Sequence, residues 1–454
     1  MGRGKFFTGD TAFYKNFFAL TGAMALQNLI TCSVNLADNV MLGGFSENAL
    51  SGAALCNQIQ YILQMVTMGI GEGVVVLGSQ YWGKRDTLFI QKLIGIGLKL
   101  GISVSIILWI LAFAFPKQCL GLFSNETAII EEGIAYLRII CFSYFFFVVT
   151  NILIYSLRSV QTVRIGFIVS GSTLIINICL NYILIYGNFS APRMGIKGAA
   201  VATLISRIAE LFIILIYLKW KDQKIHIQFK NLIPLDVILF KDYLRVGIPV
   251  IISNSLWGVA MAVQTGILGH MGARAIAANS IAATILQIIT VVLYGGASAA
   301  CVMTGKTIGE GRLDKIREYS RTNQVLFLII GLVSGAVLFL VKDYIICFYE
   351  ITGDTKELAL QFMAVLSVTV VGTAYQCSVL TGIVRGGGDT KFVLYNDLIF
   401  MWCITLPASF LATFVLKCSP VIVFACLKSD QVLKCFVAVV KVNRYRWIKK
   451  LTRE

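Results

Sequence analysis

The sequence predicts an all-α polytopic membrane protein with twelve transmembrane helices, in two six-helix bundles related by a parallel internal repeat. Three observations carry that prediction. Hydrophobic residues make up 57% of the 454-residue chain and charged residues 14%, at a mean hydropathy of +0.80, a balance no soluble globular domain shows. Apolar stretches of about 20 residues, long enough to cross a bilayer, recur twelve times. The features of the first half then return, in the same order, 226 residues later.

The first stretch, 16–40, follows a polar start, Met1–Asp10, without a small-residue cleavage site, and reads as a retained helix. The second, 53–80, is long and runs into the basic loop Gly83-Lys84-Arg85-Asp86, and the third spans 93–115. The fourth, 133–157, carries Phe142, Tyr144, Phe145, Phe146 and Phe147 around all sides of a helix, so part of it faces lipid and one or two rings at most can touch a cargo. The fifth, 164–187, and sixth, 197–218, hold polar residues at helical spacing. Residues 219–241, with Pro234, form a linker between a lobe at 1–218 and a second at 242–454 that ends in a basic tail. The second lobe repeats the pattern at 246–268, 279–305, 323–341, 359–384, 392–416 and 419–440. Pro249 and Pro407 should bend their helices, and Lys428, Asp430 and Lys434 interrupt the last.

The net charge of +16 is explained by membrane orientation. Of 39 Lys and Arg, 28 lie before the first span, in every second connection and after residue 433; only 8 lie in the alternate connections. The positive-inside rule then places both termini in the cytoplasm of a multi-pass plasma (inner) membrane protein and removes the argument for a nucleic-acid partner. The 12 cysteines are scattered without paired CxxC spacing, as small buried hydrophobes are.

Gap-free alignment of n with n+226 pairs Leu42-Gly43 with Leu268-Gly269, Gly69 with Gly295 and Gly83 with Gly309. Six crossings per half make the second repeat enter from the same side as the first, the arrangement of carriers whose halves are related by an axis along the membrane normal.

Asp38 stands out inside this apolar frame. A carboxylate at membrane depth is expensive and marks a functional site. Asn28, Thr31, Asn35 and Asp38 share one face of the first helix, Thr173, Asn177 and Asn181 form a stripe on the fifth, and Thr203 sits on the sixth. Together these oxygens can surround a small cation, Na+ being the one metal ion the set suggests, or hold a protonatable Asp38. Arg207 and Glu210, three apart, can neutralise each other; Glu72 has no opposite charge at helical spacing in the sequence and faces the cleft or snorkels; Asp397 stands within two turns of Lys391, its expected ion-pair partner, with a second coupling site as the alternative.

The chain resembles the multidrug and toxic compound extrusion (MATE) family over nearly its whole length. The resemblance is carried by Leu36-Ala37-Asp38-Asn39-Val40-Met41-Leu42-Gly43, Gln80-Tyr81-Trp82-Gly83-Lys84, Leu157-Arg158, and Asn177-Ile178-Cys179-Leu180-Asn181-Tyr182 running to Gly195-Ile196-Lys197-Gly198-Ala199 and Thr203; in the second half by Gly269-His270-Met271-Gly272-Ala273-Arg274 and Arg385-Gly386-Gly387-Gly388-Asp389-Thr390-Lys391. It implies a secondary antiporter, monomeric and without a cofactor, that exports cationic or lipophilic drugs or toxic metabolites in exchange for transported Na+ or H+ by alternating access. By position, Asp38, Asn177 and Thr203 look like the family's amino-lobe cation site. Asn181 stands where many relatives have aspartate, Ala23 where a proline is common, and no carboxylate occurs in 253–258 or 372–380. A lipid-linked precursor or polysaccharide flippase of the same superfamily is the alternative, expected to carry more cationic residues and helices beyond twelve. An enzyme is not expected: no HExxH or nucleophile elbow occurs, and the two histidines, His226 and His270, lie in the linker and at a helix end.

Overall fold

The computed structural model describes residues 7–347 and 351–453, and every regular element among them is helical. The sequence-predicted polar start therefore lies partly outside the described residues, at 1–6. We number the membrane helices α1 (Thr11–Gly43), α2 (Glu47–Gly83), α3 (Thr87–Ala114), α4 (Thr127–Ile140 continued by Ser143–Ser159), α5 (Arg164–Tyr186), α6 (Ile196–Trp220), α7 (Val237–Gly269), α8 (Ala273–Gly309), α9 (Leu313–Ile346), α10 (Gly353–Val384), α11 (Thr390–Val415) and α12 (Pro420–Asn443). Ten are long and apolar enough to cross a membrane alone, and the two segments of α4 together make an eleventh. The buried charges of α12 are the reason composition alone does not mark it as the twelfth.

The duplication is written in the helix boundaries. Thr11–Gly43 returns as Val237–Gly269 and Glu47–Gly83 as Ala273–Gly309, all four ends offset by 226 residues, and Thr87 and Leu313 open α3 and α9 at the same step. Local chemistry sets these ends. Asp86 caps α3 by accepting from the Phe89 N–H at 3.2 Å. Gly187, at φ +77°, closes α5 in the left-handed conformation that glycine adopts without strain.

One expectation needs correction. The fourth stretch, read as one helix over 133–157, bends by 55° between Ile140 and Ser143. No proline is involved: the backbone ladder tightens there to three-residue hydrogen bonds, Phe142 N–H to the Ile139 carbonyl at 3.3 Å and Tyr144 N–H to the Cys141 carbonyl at 3.2 Å, and the Ser143 hydroxyl donates to the Ile140 carbonyl at 2.6 Å. Pro407, expected to bend the eleventh helix, lies in a short α-helical turn between two wide π-helical stretches, Leu398–Thr405 and Leu411–Val415. Pro249 lies inside an uninterrupted α7.

Two compact units emerge from internal contacts. One comprises Leu26–Gly78 and Arg85–Ile251; we call it the amino-terminal unit. The carboxyl-terminal unit comprises Met1–Ala25, Ser79–Lys84 and Ile252–Glu454. The divisions in α1 and α7, after Ala25 and Ile251, are again 226 residues apart.

In the amino-terminal unit the linker at 219–241 is packed rather than free. Gln91 of α3 donates to the carbonyls of Ile225 (2.9 Å) and His226 (3.1 Å) and accepts from the Gln228 N–H (3.1 Å) and the Asn231 amide (2.9 Å). Asp236, at the start of α7, has its carboxyl lowered by the Leu239 N–H and by Lys92, 3.2 Å away. In the carboxyl-terminal unit the basic tail is docked. Trp447 is fully buried against Gly387, and Lys441 and Lys449 each reach Asp389 at 2.7 Å. Burial pushes the Asp389 carboxyl up, and the two lysines more than reverse it. There the repeat partners Gly83 and Gly309 bring the ends of α2 and α8 into backbone contact: a Cβ on Gly309 would lie 1.9 Å from the Gln80 carbonyl. Only glycine fits such a crossing.

Candidate cation site and cavity

A cavity of about 310 Å³ opens inside the amino-terminal unit, lined by α1, α2, α4, α5 and α6. Three of the four polar residues placed on one face of α1 line it, Thr31, Asn35 and Asp38, and Gln27 takes the place of Asn28.

Asp38 is tied to two other helices by a chain of amides. The Asn181 amide donates to Asp38 Oδ1 and to Asn177 Oδ1 (3.1 Å), and the Asn177 amide donates to Thr203 Oγ1 (3.3 Å). Asn181 and Asn177 are almost completely buried, at 0% and 1% exposure, while Asp38 is half-buried at the cavity wall. Four residues that the sequence singles out, Asp38, Asn177, Asn181 and Thr203, thus meet on α1, α5 and α6. The substitution of amide for acid at 181 has a physical reading. A carboxylate there would repel Asp38, whereas the amide donates to it. The buried Asn181 Oδ1 is left without a hydrogen-bond partner. Hard oxygen donors, one charged and one unsatisfied, are the chemistry a small cation or a proton-loaded carboxyl requires.

Glu210 and Arg207 line the same cavity. Their expected pairing is present, with Arg207 donating to both carboxylate oxygens at 2.9 Å, and Thr173 donates to Glu210 Oε1 at 2.8 Å. Glu72 is half-buried and is not among the lining residues. Of the aromatic run on α4, Phe147 alone reaches the cavity.

Sequence reasoning missed α2. Asn57, Gln60 and Gln64 line the cavity from that helix. Their spacing of three and four was the available signal, hidden by the apolar residues between them.

In the carboxyl-terminal unit the counterpart of Asp38, Gln264, accepts from Lys428 at 3.2 Å and donates to the Met401 sulfur at 3.4 Å. Asp397 accepts from Ser253 at 2.6 Å and from Lys434 at 2.9 Å. Its ionic partner is therefore Lys434 of α12, not the expected Lys391, because α11 turns Asp397 toward α12. Lys434 also reaches the fully buried Asp430 at 3.3 Å. No group of three or more His, Cys, Asp or Glu side chains suited to a metal ion occurs among the described residues.

Comparison with known proteins gives a consistent result. The family model described as MatE matches residues 23–183 and 249–411, one block in each repeat. The probable multidrug resistance protein NorM of Thermotoga maritima is 27% identical over 385 residues, covering 85% of this chain and 82% of that protein. Among solved structures, a MATE protein in complex with MaL6 superposes with a TM-score of 0.85 at 19% identity over 98% of both chains. A MOP superfamily transporter from Pyrococcus furiosus gives 0.84 at 19% identity over the full length of both. At these identities the structures establish the shared fold.

Proposed function

Because the chain belongs to the MatE family of multidrug and toxic compound extrusion transporters, we propose that it is a secondary active antiporter that exports drugs or toxic metabolites in exchange for Na+ or H+ by alternating access. The observation that carries this reading is Asp38, the only carboxylate in the cavity without a cationic side chain hydrogen-bonded to it, held instead by the neutral amide of Asn181. In this reading the cation binds at Asp38 with Asn181, Asn177 and Thr203 around it, and Asn35 and Glu210 shape the adjoining wall. Cargo and cation compete for the same cavity, directly or through helix bending, so cation entry from outside releases the cargo. The push is limited by the cation's differential affinity for the two states. Membrane potential adds about 2.3 kcal/mol per charge per 100 mV.

The proposal includes both termini in the cytoplasm of the plasma (inner) membrane, the two lobes of the repeat with the 219–241 linker between them, a monomer as the working unit, and no catalytic step. The flippase alternative is disfavoured by the cavity itself, whose one lining cation, Arg207, is paired with Glu210. The test is efflux of a fluorescent drug from vesicles bearing the wild-type protein, with Na+ and H+ gradients imposed separately. Efflux should follow one of the two and stop when an ionophore dissipates it. Efflux of equal rate with neither gradient present would remove the antiport reading.

A further inference from the structure

Within the proposed export function, on which this inference rests, we infer that the cavity binds cargo bearing amide-type edges, with adjacent hydrogen-bond donor and acceptor, through the carboxamides of α1 and α2. The carboxamides of Asn57, Gln60 and Gln64 on α2 and of Asn35 on α1 line one cavity. Among the described residues none of the four side chains has an intramolecular hydrogen-bond partner. Each carboxamide presents two donors and an acceptor at fixed neutral charge, the complement of an amide, lactam or imide edge.

The fold does not require them. The positions of Asn57, Gln60 and Gln64 in the duplicated helix α8 are held by Ala283, Leu286 and Thr290, so the same span forms without carboxamides at these three positions. Leu286 there packs against apolar core residues. Part of the aromatic surface that would recognise a lipophilic cation is already taken up. Of the four aromatic rings on the cavity, Phe147 lies under the Arg207 guanidinium at 5.0 Å and Tyr155 under that of Arg158 at 4.8 Å. Two of the faces that would bind a cation are therefore occupied by the chain's own cations. A volume of about 310 Å³ suits a small molecule.

The test uses the purified full-length protein and three probes: uridine for the imide edge, N-acetylalanine amide for the open-chain amide, and ethidium for the lipophilic cation. Saturable binding is measured for wild type and for a variant carrying the α8 residues, Asn57→Ala/Gln60→Leu/Gln64→Thr, with the single change Gln64→Thr beside it should the triple variant not fold. The expected result is saturable wild-type binding of at least one polar probe. The triple variant should weaken it at least tenfold and the single change by severalfold, with ethidium binding unchanged or tighter. Which polar probe binds tells a ring imide from a peptide-like amide. No saturable binding of either polar probe, or polar binding indifferent to both variants, overturns the inference. Binding measured without a gradient is independent of the ionophore test above, so the two readings fail separately.

Discussion

Asp38 and Asp397 are carboxylates on membrane helices of the chain's two units, and their partners differ in kind. Asp38 faces an open polar cavity and is held by an amide. Asp397 is closed in by Lys434, itself only 4% exposed and shared with Asp430. A carboxylate held by a neutral donor can exchange its counter-ion with the medium. One held by a tethered ammonium already has its counter-ion, and exchange would require breaking a buried pair. The duplication repeats the boundaries of the first two helices to the residue, and in the proposed reading it gives the two halves different electrostatic work: exchange in the amino-terminal unit, fixed neutralisation in the other. The cavities follow the same division, since the groove beside α7 and α11 in the carboxyl-terminal unit is lined by apolar and aromatic residues such as Val263, Trp402, Phe410 and Phe414.

The contrast can be broken most severely at Lys434. Lys434→Met leaves Asp397 and Asp430 without their shared cation, and the expected loss is about 3–5 kcal/mol of stability, read as the unfolding midpoint of the protein in detergent. A loss below about 1 kcal/mol would mean that the pair does not hold the helices. The symmetric part of the duplication is probed at Gly309, where any side chain meets the Gln80 carbonyl. Gly309→Ala should cost about 1–3 kcal/mol by overpacking, while Gly121→Ala, with open space around it, should leave the midpoint unchanged or raised.

A milder change sharpens the electrostatic claim. Gln264→Asp places a carboxylate at the position equivalent to Asp38, next to Lys428. The new acid should pair with that lysine, and transport should acquire no additional ion dependence; a second coupled ion in flux stoichiometry would contradict the account. The smallest effect is expected at Asp10, outside the spans, where hydrogen bonds from Tyr319 and Lys315 lower the carboxyl to about 2. An acid with a folded pKa below its unfolded value stabilises the fold above the unfolded value and loses that contribution as pH falls toward the folded one. Asp10→Asn should thus cost about 0.5–1 kcal/mol near neutrality, and the difference from wild type should shrink between about pH 4 and pH 2.

Much of this was legible in the sequence, for physical reasons. Hydropathy responds to the bilayer directly, so the spans could be read without tertiary information. The set Asp38, Asn177, Asn181 and Thr203 was legible because polar residues at helical spacing in apolar helices have few places to go. Long-range choices were not legible. Lys434 lies 37 positions from Asp397, and nothing local favoured it over Lys391. The bend at Cys141–Phe142 goes with three-residue backbone hydrogen bonds rather than with a proline, and the α2 carboxamides were hidden because Tyr61, Ile62 and Leu63 interrupt their stripe. The linker looked like a tether because its anchor, Gln91, belongs to α3.

The central claim, that exchangeable cation coupling resides at Asp38 and not at Asp397, is tested most directly by gradient-driven efflux from vesicles bearing Asp38→Asn and Asp397→Asn side by side, at matched insertion. The account predicts at least a tenfold loss for Asp38→Asn, with Asp397→Asn retaining most of the wild-type rate and its dependence on the gradient. Unchanged gradient-driven efflux in Asp38→Asn, or loss of gradient dependence in Asp397→Asn alone, would contradict it.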